Sequence, residues 1–279
     1  MTDARRDGMT RARYEVHVYS HRDAERVVMH YHSGFFEIYC LLKGSVLYQL
    51  DRQQHQLAPG HLLVIPPDVL HWPIHIDEDK PYVRMFLWIE QRYLETLSTR
   101  QTDLSAGLRP PYAPVVLPLS AAETLELKEL LSGLSALGDC HGYGEDVESE
   151  ALLKLFLLRV NRINQSDCAS RLPAEHPGEL ITETLAYIDS HIHETLKISQ
   201  IAEALSISRS GLEKQFSCKT GVSIYQYIVK RRMLLAGKLM KNGCPAAEAA
   251  RQTGYQDYVS FYRAFKKEFG MSPAQFRRI

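Results

Sequence analysis

At 279 residues the chain is long enough for about two domains, and 45% hydrophobic with 24% charged residues is an ordinary globular balance that excludes disordered and fibrous classes. No apolar run reaches the roughly 18 residues of a membrane span, the charged N-terminus does not read as a secretory signal, and the five scattered cysteines include no C-x-x-C pair, so a reduced, cytoplasmic protein without a cysteine zinc site is expected. The formal charge of zero is split: residues 179–279 hold 15 Lys and Arg against 9 Asp and Glu, a net of +6, and residues 1–178 carry −6, so a polyanion partner is expected for the C-terminal part alone.

Residues 14–90 read as short strands. VLYQLDRQQHQLAPGHLLVIPP (Val46–Pro67) has alternating and β-branched runs cut by Asp-Arg, Pro-Gly and Pro-Pro, the pattern of a small sandwich or barrel. HYHSGFFEIYCLLKG (His30–Gly44) spells H-x-H, four residues, E, six residues, G; GHLLVIPPDVLH (Gly60–His71) spells G, five residues, P, four residues, H. Together they resemble the two motifs of the cupin barrel, with Asp68 where glycine is usual. His30 and His32 at i and i+2 on one strand would share the interior face. His30, His32, Glu37 and His71 could hold one divalent transition metal, whose identity the ligand types do not choose; they could equally line a metal-free effector pocket or be structural. Tyr39, Tyr48, Trp72, Arg84 and Trp88 are candidates for a mixed aromatic and polar lining suited to a small polar effector. The other histidines, His17 and His55 among them, form no further spaced cluster.

Two helices follow, Ala121–Leu137 and Glu148–Ile163, both with apolar residues at helical spacing. Leu152, Leu153, Phe156, Leu157 and Val160 offer more apolar surface than one contact needs, so part is expected to pack on a second chain. A polar linker is read over 164–178, which gives an effector-sensing and dimerisation domain at 1–163 and a separate domain at 179–279.

The C-terminal domain contains a repeat. Leu212, Phe216, Gly221, Ser223 and Tyr227 have the same spacings as Phe261, Phe265, Gly270, Ser272 and Phe276, 49 residues later, and such repeats define architecture. Each copy reads as helix–turn–helix. In the first, Ser199–Leu205 is a short helix capped by Ser199, Ser208 caps the next, Gly221 ends it, and Ser223 with Gln226 opens a long connecting helix to Met240. In the second, Ala246–Gln252 leads through Gly254 to a helix capped by Asp257 and ended by Gly270, and Ser272-Pro273-Ala274-Gln275 starts the last. With the paired apolar residues inward, Ser210, Glu213, Lys214 and Ser217 face outward from one second helix. Tyr258, Val259, Tyr262, Arg263 and Lys266 do so from the other. Such faces read bases in the major groove, while Lys219, Lys267, Arg277 and Arg278 are placed to meet phosphates.

Leu196–Arg278 resembles the DNA-binding domain of the AraC/XylS regulators, most specifically in GYQDYVSFYRAFKKEFGMSPAQFRR. Ala246 and Ala249 replace larger aliphatics, and Pro245 stands near the usual Ser or Thr cap. The resemblance implies two helices in adjacent major grooves of double-stranded operator DNA. It also implies an N-terminal domain that senses a ligand, a sugar or sugar derivative by family analogy, or makes a homodimer. An activator's contact with RNA polymerase is a further implication. The expected class is α+β: a cupin-like β-barrel with a helical dimerisation segment, then an all-α domain with two helix–turn–helix motifs. The rival reading is a metal-dependent cupin enzyme, a dioxygenase or isomerase, with a helical appendage; the duplicated motif opposes it.

Overall fold

The computed structural model describes residues 13–20, 29–76, 81–110, 113–137, 142–166 and 178–277, and the chain divides into two units, Met1–Glu175 and His176–Ile279. In the first, β1 (Tyr14–Ser20), β2 (Phe35–Lys43), β5 (His61–Ile65), β7 (Val83–Glu90) and β8 (Val115–Pro118) form an antiparallel sheet in the order β1-β7-β2-β5-β8. A second sheet runs β4-β3-β6, from Gln53–Leu57, Val46–Leu50 and His71–Ile76, and a short helix, α1 (Gln91–Leu97), follows β7.

The large sheet is covered on both faces, and strand alternation decides what each face carries. Phe36, Ile38, Cys40, Met85, Leu87 and Ile89 point to α2 (Ala121–Leu137) and α3 (Glu145–Gln165), where Leu127, Leu131, Leu153, Phe156 and Leu157 close the core. Phe35, Tyr39, Leu41, Phe86 and Trp88 point the other way and meet Val46, Tyr48, Leu50 and Leu57 of the small sheet. His30 and His71 join in an isolated bridge. Among the described residues the two sheets face each other without a continuous ladder around them, so the expected barrel is an open one.

Three expectations need correction here. His30 and His32 do not share a strand: His30 sits in its bridge and His32 in the loop before β2. Helix α3 begins three residues earlier than expected and runs on through Asn164 and Gln165, because its end is tied to a 3-10 turn at Ala106–Leu108. Asn161 accepts from Gly107 N (2.7 Å) and donates to Leu104 O (2.7 Å), and Asn164 donates to Gly107 O (2.6 Å). Most of the expected linker, residues 167–177, lies outside the described residues, as does Arg278. Finally, Leu153, Phe156, Leu157 and Val160 are wholly buried inside their own unit, and Leu152 packs partly buried against the same core. Helix α3 packs on α2 and on the 3-10 turn within the core beneath the large sheet, which uses the whole apolar stripe.

The second unit contains α4 (Glu179–Ser190), α5 (Ile198–Ala204), α6 (Arg209–Thr220), α7 (Ile224–Lys241), α8 (Ala246–Gln252), α9 (Tyr258–Phe269) and α10 (Pro273–Phe276). Caps set its boundaries. Ser208, Ser223, Asp257 and Ser272 each accept a backbone N–H at a helix start, and Gly221 and Gly270 end α6 and α9 in the left-handed region. The expected cap at Ser199 is wrong by two positions: Lys197 occupies it, and its N–H donates to Gln200 Oε1 at 3.1 Å. Pro245 begins α8 with no side-chain cap.

Helix α7 carries the unit. Its Met233, Ala236 and Met240 pack with Ala249 and Ala250 of α8 and Phe261 and Phe265 of α9. Its polar side chains tie α4 and the second copy to it: Arg231 holds Asp189 of α4 through two 3.0 Å bonds, and Lys230 reaches Glu268 of α9 at 2.7 Å. Arg232 donates to Glu194 O and lies over the Tyr255 ring.

Gly254 and Gly270 both have positive φ, +77° and +69°, but only the first is enclosed. A Cβ on Gly254 would lie within 2.8 Å of Arg232 Nη2, Glu194 O and Ile192 O, whereas nothing lies within 4 Å of one on Gly270. In urea denaturation of the full chain, Gly270→Ala should lower the stability of this unit by about 1 kcal/mol, the strain of a left-handed alanine. Gly254→Ala should lower it by ~3 kcal/mol or more, since backbone must also move.

Candidate functional site

Two regions carry chemistry. In the first unit, β2 directs Glu37 into the space between the sheets, opposite Trp88 in the β2–β7 register. Glu37 Oε2 accepts from Trp88 Nε1 at 2.8 Å, pairs with His32 Nε2 at 2.7 Å and lies 3.5 Å from His71 Nε2. His30 completes the group, its ring centroid 4.9 Å from His32 and 4.3 Å from His71. All four residues are buried, and one ligand atom from each falls within 4.8 Å of the others. Asp68, at the position where a glycine is usual, takes positive φ (+62°) and donates its N–H to His32 O at 2.7 Å. That bond anchors the loop bearing His32, so convergence does not need a shared strand.

Burial would raise the Glu37 carboxyl, but hydrogen bonds and charge from His32 and His71 hold it well below the usual carboxylate range. His71 Nδ1 lies 2.8 Å from Val69 O, an acceptor, so Nδ1 carries a proton. Its Nε2, turned to Glu37, then either carries a second proton or presents a lone pair for a cation.

Tyr39, Tyr48, Arg84 and Trp88 also reach this interior. Tyr39 and Tyr82 share a hydrogen bond of 2.8 Å, and Tyr48 stacks toward His71 with centroids 6.3 Å apart. Burial lifts the Tyr39 and Tyr48 hydroxyls well above their ordinary range, so both are neutral donors. Trp72 does not belong with them. It pairs with Gln49 in β3, the neighbour of Tyr48 that points to the opposite face. The sequence reading also missed residues. Glu15, His17 and Tyr19 alternate along β1, and His17 stacks on Phe86 and Trp88 at 4.8 and 4.7 Å. His55, set aside as a lone histidine, is buried opposite Tyr48. The period-2 spacing of 15, 17 and 19 was visible in the sequence; the pairing of His55 with Tyr48 was not.

In the second unit, Leu212 and Phe216 of α6 and Phe261 and Phe265 of α9 are fully buried. Ser210, Lys214, Ser217 and Lys219 are exposed on α6 and Glu213 is half-buried, 3.4 Å from Arg209. On α9, Tyr258, Val259, Arg263, Lys266 and Lys267 are exposed and Tyr262 is half-buried. Tyr258 and Val259 are 45% and 58% exposed, unusual for apolar side chains at a helix start and suited to apolar contact with a thymine methyl. Arg277 is exposed as well.

Glu37 is the acceptor for two buried donors. Glu37→Ala should therefore destabilise the first unit by about 2–4 kcal/mol in urea denaturation, as when a buried pair loses one member. Trp88→Phe, which removes one donor and keeps the ring, should cost about 1 kcal/mol.

Comparison with known proteins agrees with this division. The family model for an AraC-like ligand binding domain matches residues 14–157, and a helix-turn-helix domain matches residues 201–279. The arabinose operon regulatory protein of Salmonella typhimurium is 25% identical over 243 residues, covering 85% of this chain and 81% of that protein. The Msm operon regulatory protein of Streptococcus mutans is 35% identical over 114 residues; the match spans 38% of this chain and only 41% of that protein. Among solved structures, the C-terminal domain of AraT, a response regulator from Geobacillus stearothermophilus, is 30% identical with a TM-score of 0.37, covering 37% of this chain and 88% of that one. With a ligand-binding domain of this type and a helix–turn–helix domain in one chain, the protein belongs to the AraC family of DNA-binding transcription regulators.

Proposed function

We propose that the first unit binds a small-molecule effector between its two sheets and that α6 and α9 read an operator in adjacent major grooves. The observation that carries this reading is the buried polar group around Glu37 in a matched ligand-binding domain. A core built for stability alone would replace such groups with apolar residues. The effector acts by differential affinity for two states of the protein, which shifts how the DNA-binding unit engages its site. A sugar or sugar derivative fits the aromatic lining, and the name of the arabinose operon relative points the same way. The protein acts by binding rather than catalysis, in the cytoplasm, as a homodimer that contacts RNA polymerase. Leu125, Val147 and Leu155, exposed on α2 and α3, support the dimer in place of the buried residues first expected to serve it. No helix among the described residues is long and apolar enough to cross a membrane.

His30, His32, Glu37 and His71 also fit a divalent transition metal: three imidazoles and a carboxylate converge, and the Val69 carbonyl orients the His71 ring. Such a metal would supply a Lewis-acidic point for an effector oxygen. Purified protein is then expected to retain about one metal per chain by elemental analysis, and His32→Ala to release it with the fold intact by circular dichroism. Protein free of metal that still responds to effector would remove the metal from the reading.

The DNA reading is tested on α9. Arg263 projects outward between buried Phe261 and Phe265. Arg263→Ala should cost about 1–3 kcal/mol on the operator and relax preference at one or two base pairs. Lys267→Ala should weaken all sequences alike and reduce the salt slope by about one unit. Binding to the operator and its single-base variants at two salt concentrations distinguishes them. Equal loss on every variant from Arg263→Ala would make it a phosphate contact and rotate the helix in the groove.

A further inference from the structure

The interior between the sheets has a second polar end, away from the Glu37 cluster. Arg84 on β7 is 7% exposed, and its guanidinium lies 5.0–5.8 Å from the ring centroids of Tyr19, Tyr39, Tyr82 and Phe86. Among the described residues it forms no ion pair or hydrogen bond, and Nε is buried without an acceptor. Glu37 is a carboxylate whose field bears on it, but Glu37 is committed to His32 and Trp88. His55 repeats the pattern on the facing sheet. It is 4% exposed, shares the interior side of its strand with Leu57, and neither ring nitrogen has a partner. Tyr48 links the two surroundings: it lies opposite His55 in the β3–β4 register and 5.6 Å, ring to ring, from Tyr39, one of the rings beside Arg84.

Buried polar groups in native proteins are nearly always paired, and a buried charge without a counter-charge is held at a cost in stability. A guanidinium is also the side chain best matched to a carboxylate, through two parallel N–H bonds. The aromatic rings beside Arg84 supply flat apolar walls, and the neutral tyrosine hydroxyls supply donors and acceptors. We propose that the effector is a small hydroxylated carboxylate of the sugar-acid class, its carboxylate seated on Arg84 and a hydroxyl on His55. This rests on the reading that the effector binds between the sheets, and narrows it from sugars in general to anionic ones.

The test is thermal unfolding of the full chain, with glucuronate, galacturonate and gluconate compared with glucose, galactose and glucosamine, all at matched ionic strength against chloride. At least one carboxylate should raise the melting temperature of the wild type, and the neutral and cationic sugars should not. Arg84→Met should weaken that carboxylate by at least about tenfold, the size of a lost charge-assisted hydrogen bond. Arg84→Lys should recover part of it, and His55→Ala should weaken it to a smaller degree. Without ligand, Arg84→Met should be at least as stable as wild type, because it removes an unpaired buried charge. A less stable Arg84→Met would make the residue a structural partner of the surrounding rings and overturn the proposal. So would a wild type that no carboxylate stabilises beyond chloride. A neutral sugar that stabilises wild type and Arg84→Met alike would overturn the anionic assignment while leaving the effector site between the sheets in place.

Discussion

The sensor unit depends on one constraint: its five-stranded sheet is buried on both faces. A strand can send only alternate side chains to each side. On β2 and β7 the helix-facing set is wholly apolar, with Phe36, Ile38, Met85, Leu87 and Ile89 carrying the contact with α2 and α3. That leaves the other set free to be mixed. Glu37, Tyr39, Arg84 and Trp88 are interleaved with Phe35, Leu41 and Phe86 on the inner face. Stability and recognition are thus assigned to opposite sides of the same strands. A substitution in one set has little direct contact with the other.

The DNA-binding unit depends on α7 in a comparable way. One helix provides an apolar surface for the second copy and cationic side chains that grip Asp189, Glu194 and Glu268. The two short helix–turn–helix copies would bury little apolar area by themselves. Packed on a common helix, they acquire a fixed relation without a large core of their own.

Much of this was legible in the sequence where the signal is local. Ser208, Ser223, Asp257, Ser272, Gly221 and Gly270 mark helix ends through bonds to residues a few positions away, and the structure places them as read. Errors arose where a partner is remote. The apolar stripe of α3 looked wider than one contact required, because its second contact is not written near it. Trp72 was named among the aromatic candidates for the lining, but it follows His71 directly, and adjacent strand residues face opposite ways. His55 carried no spacing signal, since its significance comes from pairing with Tyr48. His32 reaches its place through Asp68, whose left-handed backbone no short pattern announces for a residue other than glycine.

The two outward faces of the DNA-binding unit are chemically unlike. Helix α6 presents Ser210, Lys214 and Ser217, all polar and two of them small, while α9 presents Tyr258, Val259 and Arg263, bulky and partly apolar. Two identical motifs related by a two-fold axis read a palindrome. Two unlike motifs on one chain, in fixed order, read a sequence with a head and a tail. If both helices read bases as proposed, one such site would fix the orientation of the bound chain on the duplex, and inverting the site would reverse the chain.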